Sequence, residues 1–157
     1  MGIDLSENMI REAKKKNNDP KIKYEVCGLD NFSYPKNTFD CVVSNLVLHY
    51  INDLDEIYKK VYRTLKPGGT FIFNIEHPIF TGSVNQEWIY GSDGSIQYWP
   101  IDNYFYTGER QTNFLGKEVV KQHHTLTQIL MGLIKTGFQL EAVQEAVPPT
   151  EMMDIPG

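Results

Sequence analysis

The chain has 157 residues, 41% of them hydrophobic, a length and composition that suit one domain with its own core. Its formal net charge is −5, so it lacks the overall basic character typical of proteins that bind nucleic acid. Neither a signal peptide nor an apolar run of about 18 residues is present, which predicts a cytoplasmic protein rather than an exported or membrane-spanning one.

The two cysteines, Cys27 and Cys41, lie in apolar segments of strand-like composition. No spacing motif pairs them, and no cluster of other metal-binding residue types accompanies them in the sequence. They are therefore predicted to be small buried hydrophobic residues, and the sequence predicts no metal site.

A short strand ending at Asp4 and a helix over residues 6–16 are the first predicted elements. Ser6 is a favourable N-cap, and the lysines at 14–16 complement the negative end of the helix dipole. In nucleotide-binding α/β sheets, an acidic residue that closes the second strand accepts hydrogen bonds from the ribose hydroxyls. Asp4 is a candidate for that role; the alternative is that it only stabilises the turn before the helix.

A strand over residues 22–26 is predicted next, followed by a strand–helix–strand unit. Its first strand, 40–44, is a short apolar run, and Asp53 is a plausible N-cap for a helix over 53–65 with one apolar face. Lys66–Gly69 is predicted to stop this helix as a turn, because proline cannot continue a helix and glycine tolerates positive φ. Residues 70–75 are β-branched and aromatic and complete a right-handed βαβ unit.

Polar residues follow the two strands of this unit, at the edge where open α/β sheets bind ligands. Asn45 and Leu46 end the first strand, and His49 lies just beyond it, where it could face the substrate as a catalytic residue. His77 follows the second strand and could orient a substrate or accept its proton near neutral pH. For both histidines the alternative is a structural hydrogen bond, which is slightly favoured for His49.

Residues 78–122 lose the helical and strand periodicity and become rich in aromatic side chains, most of which are predicted to form a small core of their own, with two or three lining a pocket. After them, His123 and His124 are predicted to be exposed. A capping box at Thr125 and Gln128 predicts a helix over 125–136. The last predicted strand covers residues 138–147.

Several of these segments resemble the class I S-adenosylmethionine-dependent methyltransferases, in particular a bacterial subfamily that acts on small molecules. The motifs that carry the resemblance are GIDLSENMI, FDCVVSNLVLHYI, YRTLKPGG followed by TFIF, IEHPIF and WPIDNYFYTGER. The resemblance implies a doubly wound, Rossmann-like α/β fold, S-adenosylmethionine as the cofactor, and a small-molecule methyl acceptor.

The same resemblance implies roles for individual residues. It assigns the ribose to Asp4, the surroundings of the adenine to Leu5 and Met9, and the cofactor's methionine portion to Asn45 and Leu46. An adenine-edge contact is carried over to the backbone of Leu29 and to Asp30, although the family's usual Asp position falls on Gly28. The aromatic-rich residues 78–122 match an insertion after the fifth family strand, which caps the substrate site.

The family's Gly-rich loop is expected about 20 residues before Asp4 and does not lie within residues 1–157. The sequence therefore predicts a partial methyltransferase domain, shortened at both ends, with a split sheet and weakened activity. Open sheet edges would then favour a homodimer. Two other readings remain open: a non-catalytic relative that binds a partner, and a nicotinamide-dependent oxidoreductase of similar fold.

Overall fold

The computed structural model describes residues 1–114 and 116–147, with the side chain of Phe114 left out. Strands and helices alternate in the first half, and two hairpins and a helix make up most of the second. The elements are β1 (Gly2–Asp4), α1 (Glu7–Lys16), β2 (Tyr24–Val26), β3 (Phe39–Asn45), α2 (Leu54–Thr64), β4 (Leu65–Asn74), α3 (Pro78–Gly82), β5 (Ile89–Tyr90), β6 (Ile96–Tyr98), β7 (Gly108–Phe114), β8 (Lys117–His123) and α4 (Leu126–Thr136).

The four parallel strands form two separate pairs. β1 pairs with β2, and β3 pairs with β4, and within the described residues no strand joins the two pairs. The expected split of the sheet is thus confirmed. Asp4 lies opposite Val26 and Asn45 lies opposite Asn74, so each pair brings two strand ends together.

The core lies between the β3–β4 pair and the helices α2 and α4. The Asp53 side chain accepts a hydrogen bond from the Glu56 N–H, which confirms the predicted start of α2. The buried face of α2 packs against α4, which begins at the predicted capping box. The residues that build this contact are Leu54, Ile57, Tyr58, Val61, Ile129 and Leu133.

The Lys66–Gly69 segment differs from its prediction, because it belongs to β4. The helix already ends at Thr64, and Leu65 pairs with Phe39 while Thr70 pairs with Cys41, so the intervening residues bulge out of the ladder. Gly68 takes a φ of +78° in this bulge. Lys66 Nζ lies 2.7 Å from Asp40 Oδ1, and this ion pair holds the bulge along β3.

One face of the β3–β4 pair is open to solvent. Val42 and Phe71 point into the core, whereas Val43 and Ile72, which pair with each other, are 68% and 55% exposed. Cys41 lies on the open face and is exposed, so the prediction that it is buried is wrong. The physical reason is that no described helix covers this face, as parallel sheets normally require.

The predicted strand at 138–147 is also wrong. The segment has no regular secondary structure, and the described residues provide no neighbouring strand with which its backbone could form a ladder. Its start is held by side-chain packing instead, since the Phe138 ring contacts the rings of Tyr62 and Phe71.

The aromatic-rich insertion, residues 78–122, folds mainly as the two antiparallel pairs β5–β6 and β7–β8. The second pair, here called the cap hairpin, lies against α3 and the 3₁₀ turn at Leu48–Tyr50. Most of the insertion's aromatic side chains are exposed, so the predicted small core is wrong. They lie on α3, on or beside the short β5–β6 hairpin and on the loop before β7, where little else packs over them. The exposed set is Phe80, Trp88, Tyr90, Tyr98, Phe105 and Tyr106.

Candidate functional site

The carboxyl ends of β3 and β4 form the first group of candidate residues. The Leu46 N–H donates to the Asn74 carbonyl at 2.9 Å, and Leu46 takes a positive φ of 52°. This turn leaves the Leu46 side chain 48% exposed next to Asn45, which is also exposed. Asn45 and Leu46, which are predicted to contact the methionine portion of the cofactor, therefore have side chains that a ligand can reach.

His49 lies beneath this edge and is 4% exposed. Its Nδ1 accepts a hydrogen bond from the Glu76 N–H at 3.4 Å, so the ring proton is on Nε2. Burial lowers the pKa of His49, an effect that the Glu76 carboxylate opposes and the Lys121 ammonium reinforces. The imidazole thus ties the 3₁₀ turn to the end of β4, while its predicted catalytic role remains a prediction.

Glu76 and Lys121 form an ion pair that joins the sheet edge to the cap hairpin. Lys121 Nζ lies 2.6 Å from Glu76 Oε1, and the two side chains are 6% and 26% exposed. Sequence reasoning did not single out either residue. Buried positions alternate along β8 and place Lys121 and His123 on the same inward face, but the sequence of β8 shows no matching alternation of apolar and polar residues that could have indicated them.

His77 is the N-cap of α3. Its Nδ1 accepts from the Ile79 N–H at 3.2 Å, and its Nε2 lies 2.7 Å from Glu145 Oε1, an ion-pair contact whose angle is poor for a hydrogen bond. Both ring nitrogens therefore face protein groups. Because Nδ1 accepts from a backbone N–H, the neutral ring carries its proton on Nε2, and to take a proton from a substrate, as predicted, the ring would have to release the Ile79 N–H.

His123 is fully buried, which contradicts its predicted exposure. Its Nε2 donates to the Tyr104 carbonyl at 2.8 Å, because a carbonyl can only accept, and its Nδ1 therefore accepts from the Thr81 hydroxyl at 2.8 Å. His124 is partly buried and its Nε2 donates to the Ile51 carbonyl at 2.8 Å. Both histidines join parts of the chain distant in sequence, which the local sequence could not indicate.

Burial lowers the pKa of His123 below its usual 6.5, with Arg110 and His124 adding to the effect and the bond to Tyr104 opposing it. The unfolded chain consequently takes up this proton first as the pH falls. We expect the free energy of unfolding to decrease as the pH falls below 6.5, and to do so less steeply in His123→Gln. Urea unfolding between pH 7.5 and 5 measures this difference.

Gln122→Ala is the control, because it changes the neighbouring residue of β8 without altering a titrating side chain. Its slope should equal that of the wild type. Equal slopes for His123→Gln and the wild type would contradict the assignment of a neutral, buried His123.

A second group of candidates lies at the carboxyl end of β1. Asp4 Oδ1 accepts the Ser6 N–H at 2.7 Å, so the turn role is real, while Oδ2 receives no donor from the described residues. Leu5 and Met9 are 77% and 59% exposed, and the Leu5 side chain packs against Gly28. Together they offer a carboxylate oxygen beside an apolar shelf.

Leu29 and Asp30 follow Gly28, which the Leu5 side chain contacts. The Leu29 side chain packs against the main core, and its N–H donates to no described residue. Asp30 is exposed, and its backbone carbonyl accepts a long hydrogen bond of 3.5 Å from Lys60 Nζ. The predicted adenine contact through the Leu29 backbone thus has a free donor available, whereas the Asp30 carboxylate has no described contact with Asp4 or Leu5.

Two further findings bear on the site. The described part of the chain contains no group of three or more His, Cys, Asp or Glu side chains arranged to hold a metal ion. Among the helices of the described residues, none combines the length and the apolar character that crossing a membrane requires.

The alternation of parallel strands and helices, with polar residues at the strand ends, defines a Rossmann-like α/β protein of the kind that binds nucleotides at this edge. Residues 1–73 match the methyltransferase domain family. A solved structure from Listeria monocytogenes, assigned to the S-adenosylmethionine-dependent methyltransferases, is 42% identical, with a TM-score of 0.92 over 99% of this chain and 70% of that one.

A second solved structure, an S-adenosylmethionine-dependent methyltransferase of Mesorhizobium loti, is 39% identical, with a TM-score of 0.85 over 97% of this chain and 68% of that one. The chain therefore belongs to the S-adenosylmethionine-dependent methyltransferase family. It is also 27% identical over 92% of its length to an uncharacterized protein of Haemophilus influenzae, and it spans 60% of the length of that protein.

Proposed function

We propose that this chain supplies part of the cofactor surface and the acceptor side of a methyltransferase that uses S-adenosylmethionine to methylate a small molecule. The observation that carries the proposal is the 42% identity and TM-score of 0.92 with the Listeria protein over 99% of the chain. The nicotinamide alternative lacks a comparable similarity among the proteins described above.

The residues at the end of β1 fit an adenosine group. Asp4 keeps Oδ2 free to accept from a ribose hydroxyl while Oδ1 holds the turn, and the exposed Leu5 and Met9 offer apolar surface to a flat base. Bound there, the cofactor would supply an electrophilic methyl group on its sulfonium. The chain's own part is to bind and orient, which is most of what such a transfer requires.

The acceptor would lie between the ends of β3 and β4 and the insertion. Glu76 contacts His49 there, His77 follows Glu76 in the chain, and the cap hairpin is tied to the same edge through Lys121. In this proposal His49 positions Glu76, and His77 accepts a proton only after its Nδ1 releases the Ile79 N–H. The exposed aromatic rings of the insertion exclude water from a bound acceptor.

Residues 1–157 by themselves are expected to bind the cofactor weakly. The shelf formed by Leu5 and Met9 is open, so a bound adenine would lose little contact with water there. Two open depressions of about 260 and 520 Å³ lie elsewhere, between α2 and α4 and beside α1. A non-catalytic relative would have the same open shelf and depressions. The binding of S-adenosylhomocysteine therefore distinguishes a methyltransferase from such a relative.

Replacing Asp4 by Asn should weaken the binding of S-adenosylhomocysteine about tenfold to a hundredfold, because a hydrogen bond to a charged acceptor contributes roughly 1.5–3 kcal/mol. Asn can keep the bond to the Ser6 N–H through Oδ1, but its amide nitrogen cannot accept from a ribose hydroxyl. An NMR titration of the ¹⁵N-labelled chain reads dissociation constants into the millimolar range.

The control for the turn is Ser6→Ala, which removes the N-cap bond to the Met9 N–H and leaves the Asp4 carboxylate in place. It should bind like the wild type. Equal dissociation constants for Asp4→Asn and the wild type would remove Asp4 from the site, and no binding by the wild type at millimolar ligand would favour the non-catalytic reading.

A further inference from the structure

Glu76 is held from two sides at the end of β4. Its backbone N–H donates to His49 Nδ1 at 3.4 Å, and its Oε1 lies 2.6 Å from Lys121 Nζ, whose side chain is 6% exposed. The His49 contact comes from the turn after β3, and the Lys121 contact comes from the cap hairpin. The backbone of Glu76 is therefore held by the turn after β3, and its carboxylate is held by the cap hairpin, the two elements that border the proposed acceptor site.

The second carboxylate oxygen, Oε2, has no hydrogen-bond partner in the described residues, although it is shielded from solvent. An unsatisfied buried oxygen of a charged group is unfavourable, and native proteins keep few such atoms. This one lies beside the carboxyl ends of two parallel strands, where open α/β sheets bind their ligands. A donor supplied by a ligand would satisfy it once the groups that cover this oxygen move aside on binding.

We propose that Glu76 determines acceptor specificity by accepting, through Oε2, a hydrogen bond from the nucleophilic group of the methyl acceptor. The acceptor would then belong to the amines or hydroxyl compounds, which carry a donor on the reacting atom, rather than to compounds methylated on an atom without one. Lys121 holds Oε1 and thereby leaves Oε2 for the ligand. This inference rests on the proposed methyltransferase function.

The geometry can be tested without knowing the acceptor, by comparing two analogues of the cofactor. Sinefungin carries an amine where the sulfonium methyl would be, and S-adenosylhomocysteine carries nothing there. If Oε2 faces that point, the amine donates to it, and the wild type should bind sinefungin about tenfold to a hundredfold more tightly than S-adenosylhomocysteine.

Three ¹⁵N-labelled proteins are compared: the wild type, Glu76→Gln and Glu118→Gln. Each is titrated with both analogues, and NMR detects binding. Glu118 is an exposed residue of the cap hairpin, so it receives the same substitution as a matched control. In Glu76→Gln, we expect the preference for sinefungin over S-adenosylhomocysteine to be at least tenfold smaller than in the wild type. The dissociation constant for S-adenosylhomocysteine should stay unchanged. Glu118→Gln should behave as the wild type.

A second measurement needs no variant. In the wild type, the ¹³C resonance of the Glu76 carboxylate should shift on adding sinefungin and remain in place with S-adenosylhomocysteine. An unchanged preference in Glu76→Gln, or equal effects of both analogues on that resonance, would overturn the inference while leaving the cofactor site standing. If neither analogue perturbs any resonance, the proposed function fails and the inference fails with it.

Discussion

Replacing Ile57 by Ala should lower the free energy of unfolding by about 3 kcal/mol, because the substitution leaves a cavity where α2 meets the rest of the core. Ile57 is 1% exposed and packs within the cluster that unites α2, α4 and the inner face of the β3–β4 pair. Urea unfolding followed by circular dichroism gives the change from the shift of the midpoint at constant slope.

Ile72→Ala is the matched control for this change. The same atoms are removed from β4, but Ile72 is 55% exposed on the open face of the pair, so the loss should stay below about 1 kcal/mol. A comparable loss at both positions would mean that the open face is covered in solution, for example by a second copy of the chain.

Replacing Lys121 by Met should lower the free energy of unfolding by about 3 kcal/mol, since it leaves the Glu76 carboxylate largely buried without its ammonium partner. Met retains the length of the side chain, so the loss reports mainly on charge rather than on packing. Urea unfolding at pH 7 measures it, and salt should change the result little because the pair is mostly shielded from solvent.

The double variant Lys121→Met with Glu76→Leu distinguishes a broken pair from a disrupted hairpin. Removing both charges removes the uncompensated carboxylate, so the double variant should be more stable than Lys121→Met alone. The free energy of unfolding lost in the double variant could instead equal the sum of the losses in Lys121→Met and Glu76→Leu measured singly. That result would show that the two residues do not stabilise each other.

Much of the local structure was predictable from the residues alone. Helix α2 begins at the predicted cap Asp53, and α4 begins at the predicted capping box of Thr125 and Gln128, because a cap depends on residues within one turn of the chain. The strands ending at Asp4 and Val26 were also predictable. The motifs that resemble the methyltransferases indicated the family that the comparisons then established.

The candidate site was predictable only in part. The resemblance pointed to Asp4, Leu5 and Met9, and the structure leaves an oxygen and two apolar side chains available there. Glu76 is not among the residues that the sequence predicts for the site, whereas its neighbour His77 is. Nothing in the sequence around Glu76 reveals the ammonium that pairs with it, so its special position could not be inferred.

The sequence by itself determined the helix starts, the βαβ unit and the family, because these depend on caps, periodicity and short motifs. Only the tertiary structure decided which polar groups are buried and which apolar groups are not. Lys121 contacts Glu76, 45 residues away in sequence, and His123 contacts Thr81, 42 residues away. Residues 138–147 form no ladder, because the described residues provide no strand beside them. Burial and strand pairing depend on what the rest of the chain places alongside a segment, and no local pattern records that.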